Sequence, residues 1–258
     1  MGKGYELMGG MRINEEGFFF QGILSGKQLE LANYQLRTLL AQVEISPTQV
    51  RIYDLKISDS ACVMKIDEIL AKGEGAAPWT LSIPHLTLLE FRPSLLQKVG
   101  QPPGEISPLV IRSLKINNLK GLLEESKTYT AEGELYFINS YKRENTVFDI
   151  PSNVLSRIVG IDLDLLIPVC GTLKYELKNG AFHLTDLAGS FSENKRSAFF
   201  LVQTEDSPRM DLDGNLTILI QMKHFVLFKF TEAFLISIDG KLDEPEYHLQ
   251  RKKRFLGL

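Results

Sequence analysis

The residues best able to do chemistry are few and scattered. Four histidines, His85, His183, His224 and His248, stand at no fixed spacing from a serine, cysteine or carboxylate partner, so no nucleophile and base can be paired from the sequence. No Gly-x-Ser-x-Gly elbow occurs, which removes the usual strand-to-helix setting for a serine nucleophile. His183 falls on the polar side of an alternating segment and reads as a solvated strand residue. Gly22-Ile23-Leu24-Ser25-Gly26-Lys27 looks like a phosphate loop, but it is one residue short between the glycines and Gln28 stands where Ser or Thr would bind magnesium. It reads as a strand end and a turn. Asp211-Leu212-Asp213-Gly214-Asn215 resembles the start of a calcium loop, yet its glycine is misplaced and no glutamate closes the loop. A turn or an outward-facing strand edge is the better reading. Asp162-x-Asp164 has no third carboxylate nearby, and Cys62 and Cys170 lie far apart without a CxxC. That spacing excludes a disulfide framework and the usual zinc arrangements. The expectation is a protein with no catalytic residue, no metal and no cofactor.

Charge adds one feature. The 258 residues carry 29 Lys and Arg against 32 Asp and Glu, for a net charge of −3, which gives no general reason to expect nucleic acid. Yet Arg251-Lys252-Lys253-Arg254 puts four cations in a row, leaving 25 against 32 in the remainder. One reading is a solvated tail. The other is contact with an anionic membrane surface, at about 1 kcal/mol per basic residue, helped by Phe255, Leu256 and Leu258. Hydrophobic residues make up 44% of the chain and Gly plus Pro only 31 positions, so a sizeable folded core is affordable in composition and disorder is excluded. No apolar run approaches the length of a membrane helix or a signal peptide.

The elements that must position any site are mainly strands. In Gly171–Leu187, Leu173, Tyr175 and Leu177 alternate with Lys174, Glu176 and Lys178. Asn179-Gly180 then supplies a tight hairpin, after which Phe182 and Leu184 resume the apolar side. Leu212, Gly214, Leu216, Ile218 and Ile220 alternate with Asp213, Asn215 and Thr217, and Phe234, Ile236 and Ile238 with Leu235, Ser237 and Asp239. Trp79, Leu81 and Ile83 alternate until Pro84, which marks an edge or a bulge because it cannot donate to a ladder. Val50, Ile52, Leu55 and Ile57 slip phase once, as a bulge would give. Lys27–Val43 fits helix or strand, and its setting favours strand. Two short helices are expected, at Pro151–Gly160 and at Pro93–Val99. The proline-rich stretch 101–108 reads as a break between halves.

Many strands with one apolar face and little helix pose a question of cover. A second sheet, another part of a longer chain, or an apolar ligand such as acyl chains would each bury that face.

A resemblance bears on this. Gly171–Gly180, Met210–Leu216 and Ile236–Leu249, with Gly240, Leu242 and Pro245 as a Gly-x-Leu-x-x-Pro element, resemble the C-terminal module of AsmA-like bacterial envelope proteins, a family that includes TamB and bridge-like lipid transfer relatives. The likeness covers about residues 150–249. It implies a mainly β fold, an elongated and strongly curved antiparallel sheet shaped as a groove, with one or two short helices. It divides the chain into an N-terminal β half (1–100), the break (101–108), an AsmA-like module (109–249) and a basic tail (250–258). It also implies a periplasmic location, an inner-membrane anchor upstream of this chain, and a role in lipid transport or outer-membrane assembly. The partners would be phospholipid or another acyl-chain lipid and other envelope proteins, with no nucleic acid. Leu173, Tyr175, Leu177, Leu216, Ile218, Ile220, Phe234, Ile236 and Ile238 would then line the groove, and Arg251, Lys252, Lys253 and Arg254 would meet the membrane surface. The expected function is non-enzymatic shielding of acyl chains. The rival is an interaction module with a closed core that recruits partners by strand addition.

Overall fold

A computed structural model describes residues 4–31, 34–59, 62–75, 77–91, 109–139, 169–190, 197–204, 208–226, 229–241 and 244–251. All the regular structure among them is β. The strands are β1 (Gly4–Asn14), β2 (Gly17–Leu31), β3 (Tyr34–Ser46), β4 (Gln49–Ser58), β5 (Val63–Lys72), β6 (Thr80–Phe91), β7 (Leu109–Leu122), β8 (Glu125–Asn139), β9 (Cys170–Lys178), β10 (Ala181–Ser190), β11 (Ser197–Leu201), β12 (Arg209–Asp211), β13 (Asn215–Val226), β14 (Lys229–Lys241) and β15 (Glu244–Arg251). They form one antiparallel sheet in chain order, with β12 set aside from the path and pairing both β10 and β13. Lys27–Val43 is strand apart from two undescribed residues, as its setting indicated. The helical expectations at Pro93–Val99 and Pro151–Gly160, the break at 101–108 and Asp162-x-Asp164 lie outside the described residues.

By contacts the chain falls into two compact units. The first holds residues 1–106, 110–135 and 177–180, and the second holds 107–109, 136–176 and 181–258.

In the first unit one irregularity recurs. Val50 and Ile52 are followed, one residue out of phase, by Leu55 and Ile57. The pairing explains the slip: Leu40 faces Lys56 and Gln42 faces Tyr53, so Asp54 and Leu55 together oppose Ala41, a β-bulge. Asp54 takes a left-handed backbone, φ 53°, and its carboxylate accepts a hydrogen bond from Gln42 Nε2 at 2.9 Å. The same three-residue step appears in β5 (Met64, Ile66, then Ile69, Ala71), β6 (Leu81, Ile83, then Leu86, Leu88) and β7 (Leu114, Ile116, then Leu119, Gly121). The registers align these steps, with Ile66 facing Leu55 on one side and Leu86 on the other, and Leu86 facing Ile116. The polar pairs Tyr53-Asp54, Asp67-Glu68, Pro84-His85 and Asn117-Asn118 therefore lie side by side across four strands while the apolar residues keep to one face. Pro84 is not at an edge. It sits on an interior strand where pairing lapses on both sides, between Leu86 and Ser82 toward β5 and between Ile83 and His85 toward β7. Asn118, opposite the lapse, is also left-handed, φ 55°.

Gly22–Lys27 is a correction. The expectation of a strand end and turn gives way to uninterrupted β2, in which Gly22 pairs with Gly9 and Gly26 with Tyr5. Neither Gly22 nor Gly26 has a positive φ. Gly22 is small for a different reason: a Cβ there would fall 2.6 Å from Phe20 Cζ. The ring uses the space above the Gly9–Gly22 pair, as Tyr129 does at Gly121.

Asn179 (φ 53°) and Gly180 (φ 71°), which fall in the first unit, both adopt the left-handed turn conformation between β9 and β10, the hairpin that Asn-Gly specifies. The alternation from Leu212 is corrected at its start. Leu212 and Asp213 form a turn, Gly214 has φ 81°, and the strand begins only at Asn215. The turn reading of Asp211–Asn215 holds, because the Asp211 carboxylate accepts the Asp213 and Asn215 backbone N–H groups at 3.0 and 2.8 Å. The Gly240–Pro245 element is a hairpin connection: Lys241 faces Glu244, and Gly240 (φ 93°) faces Pro245.

Candidate functional site

Three of the four histidines have described surroundings. The His85 Nδ1 hydrogen bonds to Asn117 Oδ1 at 2.7 Å, and since a carbonyl oxygen only accepts, Nδ1 carries the proton while Nε2 accepts from the Thr87 hydroxyl at 2.9 Å. His183 pairs across the sheet with Arg209, and His248 lies 3.8 Å from the exposed Glu246. Among the described residues no cluster of three or more His, Cys, Asp or Glu could hold a metal, and no helix is long and apolar enough to cross a membrane. Cys62 and Cys170 are not joined in a disulfide.

The apolar strand faces are where the structure assembles the remaining candidates. Across β13 and β14, Ile218 faces Ile238, Ile220 faces Ile236, Leu216 faces Gly240 and Met222 faces Phe234. Opposed residues in an antiparallel pair project on the same side, so five of the nine expected residues (Leu216, Ile218, Ile220, Ile236, Ile238) share one face. Leu216 and Ile236 are buried, while Ile218, Ile220 and Ile238 keep part of their surface open. The face continues through β12, where Met210 opposes Leu216 and also Phe182 of β10. The Phe182 ring meets the Tyr175 ring edge-on at 5.5 Å, which adds β9. Leu173 and Leu177, two residues to either side of Tyr175, share its face of that strand, with Leu177 buried. Burial holds the Tyr175 hydroxyl above its ordinary pKa, because desolvation disfavours the phenolate. It is a neutral group in an apolar wall.

Three members of this face carried no sequence signal of their role. Phe199 (3% exposed) and Met222 (6%) are among its most buried residues, and they oppose each other across β11 and β13. Only register brings them together. Gly189, opposite Phe199 on β10, gives the ring its seat. β11 and β12 share the place of one strand, and where they part the Gln203 side chain donates to the carbonyls of Leu184 and Thr185 at 3.4 and 3.0 Å, while Pro208 O accepts the Leu184 N–H at 2.8 Å. The basic cluster is placed only at its first member: Arg251 ends β15 opposite Phe234. Lys252, Lys253 and Arg254 lie outside the described residues.

In the first unit the matching face is built from Ala41, Val43, Ile66 and Ile83, all buried, and runs out to β1. Its reverse side is mixed, with Met8, Ile23 and Leu40 exposed beside a set of polar contacts. Arg51 bridges Glu68 at 2.5 Å and Glu44 at 3.6 Å, and the Tyr53 hydroxyl donates to Glu44 at 3.2 Å.

Fold and face together define a class: among the described residues, an all-β protein built on a single antiparallel sheet. Against known proteins, the chain matches no family model, and neither the curated proteins nor the solved structures yield a match.

Proposed function

We propose that this chain is a non-enzymatic protein of the bacterial cell envelope whose apolar sheet face shields phospholipid acyl chains, in lipid transport or in outer-membrane assembly. The observation that carries the reading is the register across β13 and β14, which sets Ile218 against Ile238 and Ile220 against Ile236 with all but Ile236 partly open. No described helix lies over them. An acyl chain is recognised by non-directional burial, at about 0.8 kcal/mol per methylene, so a long apolar strip serves it without any polar anchor. A curved sheet forming a trough would hold such a chain along its length, and the resemblance to AsmA-like proteins supports that arrangement. The test is to purify the chain from cells under mild conditions and to identify extracted lipid by mass spectrometry. Phospholipid bound in stoichiometric amount is expected. A lipid-free protein with a stable cooperative fold would overturn the reading in favour of a closed core.

A further inference from the structure

We infer that β1 is a self-pairing edge through which two copies of this chain join their sheets in antiparallel register about Gly9. Among the described residues β1 ends the sheet order and pairs only with β2. All eleven of its residues are exposed. Tyr5, Leu7, Met11 and Ile13, at 79, 48, 65 and 71% exposure, face Gly26, Leu24, Phe20 and Phe18 of β2, so they extend the apolar face to the rim. Glu6, Met8, Arg12 and Asn14 take the other side. Natural edge strands are usually blunted by proline, lysine, bulges or shortness. The other edge, β15, is blunted in that manner, with Pro245, Glu244, Glu246 and His248. β1 carries two charges, Glu6 and Arg12, but no other such device: it holds eleven consecutive pairs with β2 without a register shift, and contains neither Pro nor Lys.

The occupant follows from charge and side-chain order. If Gly9 faces Gly9 of a second copy, then Glu6 faces Arg12, Leu7 faces Met11, and Tyr5 faces Ile13, each twice by the two-fold symmetry. Among the described residues neither Glu6 nor Arg12 has an ion-pair partner within the chain; Arg12 lies 5.0 Å from the centre of the Phe19 ring. A slip by two residues sets Glu6 against Gly10 or Asn14 and loses both ion pairs. A slip by one puts the apolar residues of one copy against the polar residues of the other. Only the register about Gly9 satisfies charge and face together, and it continues the apolar side from one copy into the next. The inference stands on the edge itself and does not need lipid to be bound.

The experiment is sedimentation equilibrium on the full chain, with the Glu6→Arg and Arg12→Glu variants alone and mixed. The wild-type chain is expected to run as a dimer of the 29.1 kDa protomer. Each single variant sets like charges against each other at both contacts and is expected to weaken the dimer by about tenfold or more. Mixing the two variants restores opposite charges at both contacts and restores association, which also shows that each variant is folded. A wild-type monomer at about 100 μM would overturn the proposal. Hydrogen exchange would then tell whether the chain's own residues cover β1, if its amides are protected, or nothing does. Single variants that leave the dimer intact, or a mixture that fails to re-associate, would overturn it equally.

Discussion

Phe199 stands opposite Gly189 across β10 and β11, and its ring occupies the space a Cβ on Gly189 would need. Such a Cβ would fall 2.6 Å from the ring's Cε1 and closer still to its Cζ and to the carbonyl oxygen of Cys170. The pair explains how a residue as large as Phe199 is only 3% exposed on a sheet face: the glycine lowers the floor beneath it. Gly171 under Phe137 repeats the arrangement.

Gly189→Ala is therefore expected to destabilise the protein by about 1–3 kcal/mol, the usual cost of overfilling a packed site. Urea unfolding measures it. Because one of the obstacles is the Phe199 ring, Phe199→Leu in the same chain should recover part of the loss, with a coupling of about 0.5 kcal/mol or more. Independent, additive effects would show that the Cys170 carbonyl alone forbids the methyl group.

Asp54 offers a second test, since backbone and side chain make separate demands there. Its φ of 53° lies in the left-handed region, which costs a branched side chain roughly 1–2 kcal/mol. Asp54→Asn keeps both the tolerance for that conformation and an acceptor for Gln42, and should be close to neutral. Asp54→Val should lose about 1–2 kcal/mol. Equal stabilities in thermal melts would mean that the bulge can relax without cost.

Much of this architecture is legible from residue order, and the reasons for the rest are specific. Leu173, Tyr175 and Leu177 announce β9, Asn179-Gly180 announces its turn, and the slip from Ile52 to Leu55 announces the bulge, because each is encoded within a few residues. Leu212 and Gly214 mislead because a turn can continue the two-residue spacing by coincidence; what distinguishes it is the Asp211 carboxylate reaching two backbone N–H groups. Gly22 misleads because glycine serves close packing as readily as turning. Phe199, Met222 and Gly189 were beyond reach, since their common face depends on how β10, β11 and β13 are registered, a long-range property. The curvature that the resemblance implies belongs with the proposal of lipid shielding.

The same Asp211 turn makes stability depend on pH in a defined direction. The Asn215 side chain and backbone N–H, and then the Asp213 N–H, favour the carboxylate and hold its pKa below the ordinary value. A pKa lower in the folded than in the unfolded chain means that the contribution is complete above the ordinary carboxylate value, about 3.9. It declines as pH falls below that value and is gone below the folded pKa. Asp211→Ala should therefore be least stable relative to wild type at neutral pH, with the gap closing in acid. A gap independent of pH between about 7 and 2 would mean that the charge on Asp211 contributes nothing to the turn.

Ile218 and Ile236 separate a groove from a sealed core, because they share one face of adjacent strands and differ in exposure. Ile236 is 3% exposed, so the carboxylate of Ile236→Glu would have neither water nor a partner, a cost of several kcal/mol. Unfolding is the expected outcome there. Ile218 keeps part of its surface open, and in a trough the carboxylate of Ile218→Glu reaches solvent once the acyl chains leave. That variant should fold with a nearly unchanged circular dichroism spectrum while losing most of its co-purifying phospholipid. Thr217→Glu, one residue away and opposite Asp239 on the other face, should keep the lipid. If Ile218→Glu unfolds as completely as Ile236→Glu, the face is a closed core and the shielding proposal fails. If it folds and retains its lipid, the acyl chains lie somewhere other than the β13–β14 face.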